Sequence, residues 1–208
     1  MTRSAATGLK NVAAVLLAAG GSRRLGFPKQ LVRWRARPLI AHALDAAHDA
    51  LPHSPCVVVV GAHHHRLRAA VRRACPAATV VTNAGWADGL ATSLQAGIAA
   101  VPRGIRAILI VLVDQPHVDG RALRRLLAGW RRKPGVAAAA RYDGQAGVPA
   151  ILPRRSWRAA RNLTGDTGAR AMLRDAASIT LVDMPEAALD IDTPAEVAHL
   201  SRQPLSRS

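Results

Sequence analysis

Short, almost wholly apolar runs alternate along this chain with longer amphipathic stretches. Val12–Ala18 (VAAVLLA), Cys56–Val60 (CVVVV), Thr79–Thr82 (TVVT) and Arg106–Val113 (RAILIVLV) are the first four runs. A strand with one wet face shows a polar residue at every second position. Val12–Ala18 and Cys56–Val60 do not, so they are predicted to be buried strands, of the kind covered on both faces in parallel α/β sheets. Helical spacing lies between them. Leu39, Ala43, Leu44 and Ala47 share one side of Pro38 to Ala50, with Pro38 suited to the first turn. A basic helix opens at the histidine triplet His63–His65 and runs through Arg73, another spans Leu90 to Val101, and Asp119 caps one reaching Trp130. Further on, Val136–Ala140, Val148–Leu152 and Ile179–Val182 read as strands and Pro153–Asn162 and Thr167–Asp175 as helices. Thr193-Pro194 starts a last helix to about Leu200.

This alternation predicts an α/β fold, a Rossmann-like, mainly parallel sheet with helices on both faces. The spacing loosens after about Ala140, so a small antiparallel insertion is expected in the C-terminal third. One domain is expected over residues 12–200, between a disordered lead-in (1–11) and a frayed tail (201–208).

Ligands in such sheets bind outside the carboxyl ends of the strands. Three polar clusters fall there: Gly20–Lys29 after the first strand, Asn83–Ser93 after the third and Asp114-Gln115-Pro116 after the fourth. In the first, glycines let backbone N–H groups approach oxygens closely, and Arg23, Arg24 and Lys29 offset charge, a combination suited to polyphosphate. It is not a P-loop, because Phe27 stands where the lysine should follow Gly26. It is not a dinucleotide fingerprint either, since Gly20-Gly21-Ser22 breaks G-x-G-x-x-G. An ordinary strand-to-helix turn with solvated arginines is the alternative. Asp114, ending an apolar strand, suits a hard divalent cation, which binds through one or two carboxylates plus substrate phosphates; a turn-capping aspartate is the alternative. Asp190 and Asp192 point to opposite sides of an extended segment, one towards the site and the other capping or facing water. Consecutive histidines diverge, so His63, His64 and His65 cannot all ligate one ion. Of the four tryptophans only Trp86 falls in a candidate site loop.

Composition narrows the partners. At 208 residues one domain with a substantial core is expected. The formal charge of +16 raises the question of nucleic acid, but aromatics are only 3% of residues and the arginines are dispersed, so small anionic substrates are expected and no nucleic-acid partner. No apolar run approaches membrane-spanning length and the N-terminus lacks the apolar segment of a signal peptide, so no membrane partner is expected. Cys56 and Cys75 have no metal-site spacing, and a reducing, cytoplasmic setting is the default.

Together these pieces resemble the MobA-like nucleotidyltransferase family from Val12 to about Leu200. LAAGGSRRLGFPKQL resembles its LAAG-x-G-x-R-x-G-x-x-K signature, VLVDQPHV its (G)DQP or GDMP metal motif, and DIDTPAEV its C-terminal DIDTPEDL. Within the family the resemblance is closest to molybdenum cofactor cytidylyltransferases of the MocA type. LAAG at Leu17–Gly20 stands where guanylyl enzymes carry LAGG, and NAGWADGLATSLQAG (Asn83–Gly97) resembles the cytidylyl loop N-x-x-W-x-x-G-M-x-S-S-L. GVPAILPRRSW and LTGDTGARAML also resemble that group. Three positions depart: Ser22 replaces the second signature glycine, Val113 a glycine common before the DQP aspartate, and Val148 a common histidine.

The resemblance implies a nucleotide-diphospho-sugar transferase fold and transfer of CMP from CTP to the terminal phosphate of Mo-molybdopterin, giving molybdopterin cytosine dinucleotide and pyrophosphate with Mg²⁺. It implies that Gly20, Gly21 and Ser22 cradle the triphosphate and that Arg24 and Lys29 offset charge, with Arg23 pointing away. Asp114 would hold the metal with Asp192. Leu17, Ala18, Ala19, Asn83, Gly89 and Ser93 would read base and ribose, and Gly147, Pro149, Asp166 and Arg170 would face the pterin. Transient contact with a molybdenum hydroxylase or its insertion chaperone is implied. The rivals are a guanylyltransferase of the same family, a sugar- or polyol-phosphate nucleotidyltransferase, and a non-catalytic molybdopterin-holding chaperone.

Overall fold

Both faces of the first strand are closed, as its unbroken apolar run requires. The structure is a computed structural model that describes residues 9, 11–165, 173 and 179–202. In chain order its elements are β1 (Val12–Ala18), β2 (Arg33–Trp34), β3 (Arg37–Pro38), α1 (Leu39–Ala50), β4 (Cys56–Val60), α2 (His64–Ala74), β5 (Thr79–Thr82), α3 (Leu90–Ala100), β6 (Ala107–Leu112), α4 (Gly120–Arg131), β7 (Ala137–Tyr142), β8 (Gln145–Pro153), α5 (Trp157–Ala160), β9 (Ile179–Asp183) and a last helix, Pro194–Arg202. Val12, Ala14, Leu16 and Ala18 of β1 pack with α1, α2 and α4 on one face. Ala13, Val15 and Leu17 pack with Leu94 and Ile98 of α3 and with Trp157 on the other. Alternating side chains of one strand thus feed two separate cores.

The seven-stranded sheet has the order β5-β4-β1-β6-β8-β7-β9. β1 pairs in parallel with β4 and with β6, and β4 with β5. β8 runs antiparallel to both β6 and β7, while β7 and β9 are parallel. The expected antiparallel piece is therefore a strand of the main sheet, inserted between β6 and β7. It leaves β7 through Asp143 and Gly144, both at positive φ (49° and 73°), the conformation of a tight hairpin turn.

Several boundaries differ from the expectation. β8 starts at Gln145, three residues before the Val148 expected from apolar pattern alone. The expected helix Pro153–Asn162 is a 3₁₀ turn over Arg154–Ser156 followed by the short α5. The last helix continues through Arg202, two residues into the stretch expected to fray. The β2–β3 hairpin was not expected, because its turn residues Arg35 and Ala36 adopt φ of 46° and 63° without glycine or asparagine. The expected helix Thr167–Asp175 lies outside the described residues apart from Leu173, as do most of the lead-in and tail.

Strands β4 and β5 are laid down on one side of β1, and β6 on the other. The order reverses between β1 and β6, and the crevice outside the carboxyl ends of such a pair is where α/β sheets bind ligands. α3 sits directly on this part of the sheet. A Cβ at Gly97 would lie 2.6 Å from Val15 Cγ1 and 3.2 Å from Val59 Cγ2. Gly97→Ala is therefore expected to cost about 1–3 kcal/mol by overpacking, read as a lower urea midpoint at unchanged slope. An unchanged midpoint would contradict this close seating of α3.

Candidate functional site

The chain leaves β1 into the glycine-rich loop. Gly20 borders the cleft, and a Cβ built there would meet nothing within 4 Å. Ser22 has φ of 51°, a left-handed conformation that favours glycine. Its Oγ accepts a hydrogen bond from the Lys29 N–H at 3.0 Å and so ties the two ends of the loop together. Gln30, 2% exposed, donates through Nε2 to the carbonyls of Ala18 (2.9 Å) and Gly20 (3.0 Å). Two carbonyl oxygens that would repel an anion are thereby engaged by a buried amide.

Three distant segments meet at Lys29. Its ammonium donates to Asp114 Oδ2 and, at 2.7 Å, to Asp192 Oδ1, while Arg24 donates to Asp192 Oδ2. The Lys29 and Asp114 side chains are only 17% and 16% exposed. Asp114 stands just past the end of β6, and its carbonyl accepts from the Ile191 N–H at 3.0 Å, which draws the 190–192 segment alongside. Glu196 Oε2 accepts from the backbone of Asp192 (2.6 Å) and Thr193 (2.8 Å), and Thr193 Oγ1 accepts from the Glu196 N–H at 3.3 Å. This reciprocal capping box starts the last helix with Thr193 as the cap and frees the Asp192 carboxylate for the site.

Charges in this cluster reinforce one another. Burial works to lower the Lys29 pKa, but Asp114 and Asp192 together hold it above the usual lysine value. Burial likewise works to raise the Asp192 carboxyl, and Lys29 and Arg24 outweigh it, holding it below the usual carboxylate range. Asp114 Oδ1 is buried with no donor among the described residues. Two hard carboxylates, one with an orphaned oxygen, already gathered around a single positive group, fit a divalent cation that takes its remaining ligands from phosphates and water. Asp114 and Asp192 would hold it. Among the described residues no group of three or more His, Cys, Asp or Glu is poised to hold a metal by itself, the histidine triplet included. Burial, with Cys75 second, pushes the Cys56 thiol up to about 12, so it offers no thiolate nucleophile near neutral pH.

A cavity of about 210 Å³ lies between these elements. Of the residues singled out from sequence, Leu17, Ala18, Ala19, Gly20, Lys29, Trp86, Gly89, Ser93 and Asp114 line it. Asn83 does not. It is buried beneath the wall, where Nδ2 donates to Thr92 Oγ1 (2.8 Å) and Ser93 Oγ (3.0 Å) and Oδ1 accepts from the Gly85 N–H (3.0 Å). Gly21 and Ser22 shape the loop behind Gly20, and exposed Arg24 reaches the site only through Asp192. Arg23 turns to the Trp86 ring, 6.0 Å from its centroid. Gly147 and Pro149 lie on β8, outside the cavity lining and tied to the Asp114 loop by Gln115 Nε2, which donates to the carbonyls of Val148 (3.0 Å) and Ala187 (2.8 Å). Asp166 and Arg170 lie outside the described residues. Sequence reasoning missed Gln30 and Leu112 as parts of this site, and gave Gln115 and Leu90 a place in its loops but no role of their own. An amide beside a lysine or aspartate gives no sign of burial, and the leucines read as ordinary core.

The sequence profile of the MobA-like NTP transferase domain matches residues 14–186. None of the curated proteins matches the chain. Among solved structures, Rv0371c from Mycobacterium tuberculosis H37Rv is similar at 26% identity with a TM-score of 0.79, covering 93% of this chain and 100% of that one. Its complex with manganese is similar at 25% identity and a TM-score of 0.77, with coverage of 93% and 100%. Molybdopterin-guanine dinucleotide biosynthesis protein A from Archaeoglobus fulgidus shares the fold at 15% identity and a TM-score of 0.63, with coverage of 91% and 96%. The sheet and its flanking helices are those of the nucleotide-diphospho-sugar transferases.

Lys29→Met leaves Asp114 and Asp192 facing each other without their shared cation. Stability is expected to fall by about 3 kcal/mol, the cost of breaking a largely buried pair. Added Mn²⁺ is expected to raise the melting temperature of this variant more than that of the wild type. Equal metal effects on both proteins would show that the carboxylates do not share a cation site with Lys29.

Proposed function

We propose a reaction from one premise: the chain belongs to the MobA-like NTP transferase family. It is a nucleotidyltransferase of that kind, and we propose that its nucleotide is CTP and its acceptor the terminal phosphate of Mo-molybdopterin. The observation that carries this reading is the Lys29–Asp114–Asp192 cluster beside Gly20, at the point where the strand order reverses. The LAAG form of the loop and the Asn83–Gly97 stretch support the cytidylyl choice. The Archaeoglobus neighbour, by its name a molybdopterin-guanine dinucleotide protein, supports a pterin acceptor and is also what keeps GTP as the rival.

In this reading an oxygen of the acceptor phosphate attacks the α-phosphorus of CTP, the α–β bridging bond breaks, and pyrophosphate leaves. The attacking group is already anionic, so no general base is required; the protein's work is alignment and charge compensation. The backbone of Gly20, Gly21 and Ser22 receives the triphosphate. Lys29 and Arg24, both within reach of Asp192, offset the negative charge that builds on the leaving pyrophosphate. A divalent ion held by Asp114 and Asp192, Mg²⁺ in the cell, would supply further neutralisation of the phosphate oxygens; the manganese complex of Rv0371c supports a divalent ion here. Leu17, Ala18, Ala19, Gly89 and Ser93 form the wall towards base and ribose, and Asn83 holds that wall in place. The pterin half is assigned to the β8 side of the cleft, at Gly147 and Pro149.

Incubation of the protein with Mo-molybdopterin and an equimolar mixture of CTP and GTP tests this directly. Consumption of CTP with release of pyrophosphate and formation of molybdopterin cytosine dinucleotide is expected. Consumption of GTP alone would contradict the cytidylyl choice, and turnover without any pterin would contradict the acceptor. Asp114→Ala is expected to lower turnover by about 10²-fold or more, because transition-state charge loses its compensation. Delivery of cofactor surviving that change would mark a holding protein in place of an enzyme.

A further inference from the structure

Gly20 and Gly21 are adjacent glycines with different reasons to be glycine. Gly20 opens onto the cleft with free space where a Cβ would stand. A Cβ at Gly21 would lie 2.8 Å from Cζ3 and 2.9 Å from Cη2 of Trp86, closer than real side chains approach. On the far side, a Cβ at Gly61, the residue after β4, would lie 2.7 Å from Trp86 Cβ and 2.5 Å from the Ala19 carbonyl oxygen. The tryptophan therefore occupies a slot that stays open only while both neighbours lack a side chain.

Trp86 is itself held firmly. It begins a 3₁₀ turn, Trp86–Asp88, that ends at Gly89 with φ of 106°. Asn83 Oδ1 fixes the residue before it, and Thr92 Oγ1 lies 2.9 Å from the carbonyl oxygens of both Gly85 and Gly89. The Arg23 guanidinium lies over the ring. The indole thus bridges two parts of the cleft that are remote in sequence: the braced 83–93 wall and the glycine-rich loop.

We propose that Trp86 is a positioning residue for the nucleotide, a wedge between Gly21 and Gly61 that sets the height of the Gly20–Ser22 loop against the cleft. This rests on the nucleotide reading of the site. The ring also borders the cavity; its removal lets the loop sink and so weakens triphosphate binding while the phosphates keep their own partners. Gly21 lacks a side chain in order to admit the ring, and its backbone remains part of the loop that receives the triphosphate.

The test is a double-mutant cycle on affinity for CTP with Mg²⁺, measured by calorimetry with GTP run alongside and thermal melting as the control for folding. Trp86→Ala is expected to weaken binding about tenfold or more, and to raise KM while leaving kcat nearly unchanged, and Trp86→Phe to stay within about threefold of wild type. Gly21→Ala alone is expected to weaken binding about as much as Trp86→Ala, and to add nothing further once Trp86 is alanine, because the methyl then fills vacated space. A Gly21→Ala penalty of the same size in both backgrounds would assign that glycine to the ligand and overturn the proposal, as would wild-type affinity in Trp86→Ala. If Trp86→Ala does not fold, Trp86→Leu takes its place in the cycle. A folded wild-type protein that binds neither nucleotide would overturn the nucleotide reading and the proposal with it, an outcome distinct from either of the others.

Discussion

One ammonium group shared between two carboxylates decides where the parts of this cleft stand. Lys29 follows the glycine-rich loop, Asp114 lies just past β6 and Asp192 precedes the last helix, so the contacts join positions 85 and 163 residues apart in the chain. Like charges gathered at low exposure repel strongly unless a cation lies between them. Lys29 supplies that cation, and Arg24 adds a second from the solvent side. In the proposed reaction a triphosphate would offer Lys29 other anionic partners and a divalent ion would offer the carboxylates another cation, so the two exchanges would favour each other.

Buried amides hold the surrounding loops in register. Gln30 engages the carbonyls at the end of β1, Gln115 ties the Asp114 turn to β8 and to Ala187, and Asn83 fastens the 83–93 wall. All three are nearly inaccessible to solvent. An amide nitrogen pinned between two acceptors fixes the loop it comes from, while the Gln30 and Gln115 side-chain oxygens stay buried without a donor among the described residues. Each of the three loops at the sheet's carboxyl edge has one such brace, so the charged residues sit on rigid supports.

The legible parts of the sequence were those in which one physical demand dominates. Short unbroken apolar runs rich in β-branched residues and bounded by turn signals read as strands covered on both faces, which is how β1, β4 and β6 and the layered architecture were readable. Gly20, Lys29 and Asp114 were readable as cleft residues because polar groups that follow parallel strands gather at the carboxyl edge of the sheet. Where two demands share a residue type, the reading was incomplete. Asn83 looked like a ligand contact and is a brace, and Gly21 looked like part of a phosphate cradle yet packs on an indole. Ser22 looked like a departure that would alter the loop, but it takes a glycine-like backbone conformation and adds a hydrogen bond. The hairpin at Arg35-Ala36 gave no signal, since neither residue prefers the positive φ it adopts.

A crystal structure with CTP and Mn²⁺, located by anomalous scattering, tests the central claim most directly. The account predicts the triphosphate on the Gly20–Ser22 loop, the metal between Asp114 and Asp192, and the Lys29 ammonium moved from the carboxylates to phosphate oxygens. A nucleotide bound elsewhere, with the Lys29–Asp114–Asp192 contacts intact and no metal between the carboxylates, would contradict it.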